Sequence, residues 1–149
     1  IFLILAMLLA GCGQAKEEPA ANVDLTAFYE SVAEMQGLAG MVALEGEMLE
    51  ACFPGLADIE TQQLVAYAPM MSANVNEYVF VQCNSAEDAA AVGKILQERV
   101  DTQANGGAWY PESMAAWEKA KVIVNGNYAL MIATWEGADE IVEKFEALL

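Results

Sequence analysis

Two strand–turn–strand patterns, each running into a helical period, mark this chain as an α+β protein, and an amphipathic helix precedes them both. They predict an N-terminal helix followed by two ββα units. The four strands would form one antiparallel sheet, with the helices on one face. Asp24 is a good N-cap, and behind it Leu25, Phe28, Tyr29, Val32 and Met35 keep helical spacing until Gly37 and Gly40 stop the run. Glu47 to Cys52 reads as a short second helix, ended by Pro54-Gly55.

The first unit has strands over Gln63–Met71 and Glu77–Cys83, with the turn residues Ser72-Ala73-Asn74 between them. Ser85 then caps a long helix with apolar positions at Ala89, Val92, Ile95, Leu96 and Val100. In the second unit, Val122–Val124 and Tyr128–Thr134 flank Asn125-Gly126, a strong hairpin signal. A last helix spans about Gly137 to Leu148. Tyr78-Val79-Phe80-Val81 and its helix parallel Tyr128-Ala129-Leu130-Met131 and its helix at a spacing of about 50 residues. The alternatives are an internal ββα duplication and a chance likeness of two similar segments.

The chain has 149 residues, with 22 acidic and 6 basic side chains, no His and a net charge of -16. That length fits one domain. The absence of His removes Ser-His-Asp and Cys-His catalysis and HExxH zinc sites. The negative charge argues against nucleic acid, whose phosphates need a Lys/Arg surplus, and points to a cationic partner or simply to solubility.

Residues 1–11 read as the apolar core of an export leader, too short to span a membrane. Leu9-Ala10-Gly11-Cys12 resembles a bacterial lipobox, the other reading being an ordinary secretory signal with an incidental Cys. That resemblance implies lipidation of Cys12, palmitate among its acyl chains, and a protein held on the extracytoplasmic face of the cell membrane. Residues 12–22, small and polar around Pro19, form a flexible linker, and residues 23–149 form the single folded domain.

Further short segments fall in a fixed order: Val23-Asp24-Leu25, Leu44-Glu45-x-Glu47-Met48-Leu49, Tyr67-x-x-Met70-Met71, Tyr110-Pro111 and Gly126-Asn127-Tyr128. With the lipobox they resemble the small Gram-positive lipoproteins of the domain-of-unknown-function family 4358, over Val23 to Leu149. The resemblance implies location and domain extent. That family has no assigned activity, so it carries over no catalytic residue. Where the family has a continuous charged helix before the Tyr-Pro pair, Asn105-Gly106-Gly107 interrupts this chain.

The interruption is also the sharpest site signal. Asp101, Gln103, Asn105, Gly107 and Glu112 nearly fit the calcium-loop spacing, offering four side-chain donors and one carbonyl, with Gly106 at the turn. Gln103 is one methylene too long, and Pro111 precedes the last ligand. The other reading is a helix stopped by glycine, a turn, and a new helix opening at Pro111.

Trp109 and Tyr110, beside two glycines, are the best candidates for an exposed binding surface. Glu45, Glu47 and Glu50 read as a solvated acidic face. Cys52 and Cys83 are either a disulfide or two buried thiols. With no phosphate loop, GxSxG or CxxC motif, the sequence favours a non-enzymatic binding or interaction module without a cofactor. A weak calcium-binding protein is the alternative.

Overall fold

A computed structural model of the chain describes residues 22–149. Cys12, the leader and nearly all of the linker lie outside the described residues. No helix among the described residues is long and apolar enough to cross a membrane.

The elements run α1 (Leu25–Gln36), β1 (Met41–Ala43), α2 (Gly46–Cys52), β2 (Thr61–Pro69), β3 (Glu77–Cys83) and α3 (Ala86–Thr102). They continue with α4 (Pro111–Trp117), β4 (Lys121–Asn125), β5 (Tyr128–Ala133) and α5 (Ala138–Glu146). The caps read from the sequence are in place. Asp24 accepts hydrogen bonds from the amides of Thr26 and Ala27, both at 3.0 Å. Gly37 takes the left-handed conformation, and Leu38 N–H closes onto Ala33 O. Ser85 accepts from Asp88 N–H at the start of α3.

The class is α+β, but the sheet has five antiparallel strands, not four, in the order β1-β2-β3-β5-β4. The additional strand, β1, is only three residues long and pairs Met41 with Pro69 and Ala43 with Tyr67. Three residues carry no alternation that a sequence pattern can register.

The helices do not share one face. Val79, Val81, Cys83, Ala129, Met131 and Ala133 pack with Val92, Leu96 and Val100 of α3, along with Leu49 and Phe53 from the α2 segment. The alternate residues, Tyr78, Phe80, Tyr128, Leu130 and Ile132, pack with Phe28, Tyr29 and Val32 of α1 and Ile141 and Phe145 of α5. Covered on both faces, β3 and β5 are buried at every residue, which is why Tyr78–Val81 and Tyr128–Ala133 read as apolar runs without alternation.

The internal likeness therefore extends to the strands alone. The antiparallel register pairs Tyr78 with Ile132, Phe80 with Leu130 and Gln82 with Tyr128, symmetric about the Phe80–Leu130 pair. Their helices diverge: α3 leaves β3 onto one face, and α5 leaves β5 onto the other.

At one end of the sheet the incoming chain is tied down. Tyr128 OH accepts from Val23 N–H at 3.0 Å, and Gln63 Nε2 donates to Val23 O at 2.8 Å. Gln63 Oε1 accepts from Leu25 N–H, and Gln82 Nε2 donates to Asn22 Oδ1.

Candidate functional site

At the opposite end of the sheet lies a groove of about 470 Å³, within the roughly 300–1,000 Å³ of small-molecule sites. Val42 and Leu44, Ala68 and the start of β3 form its floor. Met48 and Cys52 of α2 form one wall, and Gln103, Gly107, Trp109 and Tyr110 form the other. Ser72 and Asn74, in the loop between β2 and β3, close the end. That loop is held by its neighbours: Ser113 Oγ donates to Ala73 O at 3.3 Å, and Trp135 Nε1 donates to Asn74 Oδ1 at 3.2 Å.

An ion pair sits in the floor. Arg99 Nε and Nη2 donate to Glu77 Oε1 and Oε2, each at 2.9 Å, a bidentate fork. The side chains are 19% and 5% exposed. The guanidinium also lies 5.8 Å from the Phe53 ring centroid and 5.6 Å from that of Trp117. Burial by itself would lower the Arg99 pKa, but the hydrogen bonds and charge of Glu77 outweigh it and hold the pKa above its ordinary value. Nη1 keeps two N–H donors with no partner among the described residues.

These two residues escaped the sequence reading. Arg99 is the only arginine in the chain, and it falls three residues after Leu96 on the buried stripe of α3. Glu77 opens a strand that is otherwise apolar apart from Gln82. Each was a signal that a charge would need a partner inside the protein.

The rim is aromatic and strained. After α3, residues Gln103–Gly107 make a loosened helical turn, with Asn105 and Gly106 outside helical geometry. Tyr110 N–H then reaches back to Ala108 O at 2.7 Å, a three-residue turn about Trp109. Among the described non-glycine residues, Trp109 alone has positive φ, at 63°. That backbone costs of order 1–3 kcal/mol. Trp109 is 86% exposed and Tyr110 55%, so both are displayed as the sequence suggested.

The other sequence candidates are dispersed. Asp101 and Gln103 stand two residues apart on continuous helical backbone, so their side chains diverge. The Asp101 carboxylate accepts from Gln97, and Asn105 Nδ2 donates to Asp101 O. Gly107 lies against Gln103, and Glu112 sits exposed in the first turn of α4. No three His, Cys, Asp or Glu among the described residues converge as a metal site. Glu45, Glu47 and Glu50 are exposed.

Cys52 and Cys83 are free thiols, not a disulfide. Cys52 neighbours Arg99 and Glu77 in the groove, at the start of β3, whereas Cys83 ends that strand, about 20 Å away along it. Burial raises both thiol pKa values. The Arg99 charge only partly offsets this at Cys52, and Asp88 adds to it at Cys83. Neither is primed as a nucleophile.

No curated protein and no solved structure matches the chain. The sequence model of one family, described as Domain of unknown function (DUF4358), matches residues 36–134. That span runs from the end of α1 through β5 and takes in every residue named in the floor, the walls and the rim of the groove. The chain belongs to the DUF4358 family.

Proposed function

We propose that this protein is a membrane-tethered extracytoplasmic lipoprotein, anchored through Cys12, whose folded domain binds a ligand without transforming it. The observation that carries the reading is the groove, with its paired charges in the floor and Trp109 and Tyr110 displayed on its rim. The chemistry around it favours binding over catalysis: both thiols are held protonated, the Glu77 carboxylate is committed to Arg99, and the chain has no His. The tether also suits an outward-facing site. The incoming chain is tied to the sheet beside Gln82, and the groove opens beside Glu77, about 17 Å further along β3.

The anchor is tested by feeding cells an alkyne-bearing palmitate. Label on the protein should vanish in Cys12→Ala, with release into the medium; label that persists removes the anchor from the proposal. The groove is tested with a photo-crosslinking residue on intact cells, placed at Tyr110 or at the exposed Glu30 of α1. An adduct specific to position 110 is expected. Equal adducts from both positions, or none, would overturn the binding role.

A further inference from the structure

The lining of the groove is divided between apolar and polar groups. Trp109, Tyr110, Met48 and Met70 supply apolar surface, and Trp109 is held outward by a backbone that tryptophan seldom adopts. Ser72, Asn74 and Gln103 supply uncharged hydrogen-bonding groups. Asn74 is oriented, because its Oδ1 accepts from Trp135 and so its Nδ2 is left to donate. The Ser72 hydroxyl and the Gln103 side-chain amide have no hydrogen-bond partner among the described residues. Arg99 also lines the groove, and its Nη1 has no hydrogen-bond partner among the described residues.

Charge narrows the class of ligand. An anion would meet a chain of net charge -16, and the Arg99 guanidinium is already neutralised by Glu77. A cation entering the groove would find no unpaired carboxylate in its lining, because Glu77 is held by Arg99. A wholly apolar ligand would strip water from Ser72, Asn74 and Gln103 and return no hydrogen bonds. What remains is an uncharged molecule with an apolar face and a fringe of hydroxyls.

We propose that the groove takes a neutral saccharide, one ring stacked on the Trp109 indole and its hydroxyls bonded by Asn74, Gln103, Ser72 and Arg99 Nη1. The apolar C–H face of a pyranose matches the flat indole, and its equatorial hydroxyls match the planar amides. This rests on the groove being the binding site. The Glu77 fork acts here as a positioning device, since it fixes the guanidinium and occupies its Nε and one Nη2 N–H, leaving the Nη1 pair free to donate.

The test is a titration of the 15N-labelled full chain with cellobiose, maltose, N,N′-diacetylchitobiose and lactose, and in parallel with an uncharged dodecapeptide. The Trp109 indole and Gly107 amide resonances are followed. At least one disaccharide should shift both and leave the amides of α5 in place. Trp109→Ala should weaken that binding at least tenfold, whereas Trp109→Tyr, which keeps a stacking ring, should restore most of it. If the peptide shifts these resonances and no disaccharide does, the saccharide class is overturned and the groove remains a binding site. If nothing shifts them, both readings are overturned.

Discussion

At the scale of single residues, the Glu77–Arg99 pair is the most exacting commitment in the fold. Neither charge is stable alone in that floor. Glu77→Ala should therefore cost about 3 kcal/mol or more, the usual penalty for orphaning a buried partner. The double change Glu77→Leu/Arg99→Met should recover most of the loss, because it removes both charges and keeps the volume. Urea melts of the singles and the double measure this, and additive losses would mean that the pair is not coupled.

Tyr29 makes a second residue-scale prediction. Burial, then the neighbouring Tyr67 and Tyr78, push its pKa from 10.0 to about 12. Above pH 10 the unfolded chain releases a proton that the native state still holds, so stability falls as the pH climbs towards 12. Tyr29→Phe should flatten part of that fall in alkaline melts. An unchanged pH dependence would show that Tyr29 ionises equally in both states.

At the scale of elements, α3 lies on β4 through Gly93. A Cβ there would overlap Val124 Cγ2. Gly93→Ala should destabilise by about 1–3 kcal/mol despite the better helix propensity of alanine. Adding Val124→Ala should restore much of the loss; a stabilised single variant would mean that the helix shifts freely. The end of α3 bears on the calcium expectation. With Asp101 and Gln103 diverging on the helix, calcium should leave the melting temperature unchanged. A true site at 100-fold excess over Kd would add about 2.7 kcal/mol.

Elements of this kind were largely legible, because their signals are local: Asp24, Ser85, Asn125-Gly126 and the periods between them. The face each helix covers was not. An apolar stripe tells a helix to bury itself but not where, and α3 and α5 chose opposite sides of one sheet. The site divided in the same way. Trp109 and Tyr110 stood out beside their glycines. Glu77 and Arg99 meet only through the packing of α3 on β3, across 22 residues of chain.

At the scale of the whole molecule, the two ends of the sheet differ. One receives the chain, with Tyr128 and Gln63 binding the backbone of Val23 and Gln82 the side chain of Asn22. The other carries the groove. Both ends are joined by the two wholly buried strands, β3 and β5.

The place of β5 in that scaffold sets an order in time. β3 leaves the ribosome early, yet its partner on one flank begins only at Tyr128, after α3, α4 and β4 have been made. Until then one row of β3 amides and carbonyls has no strand to pair with, and Phe80 lacks the Phe145 side of its cluster. A chain built this way cannot close its core until almost all of it exists. For a protein exported as proposed, that delay keeps the polypeptide threadable through a translocation channel and defers folding to the far side.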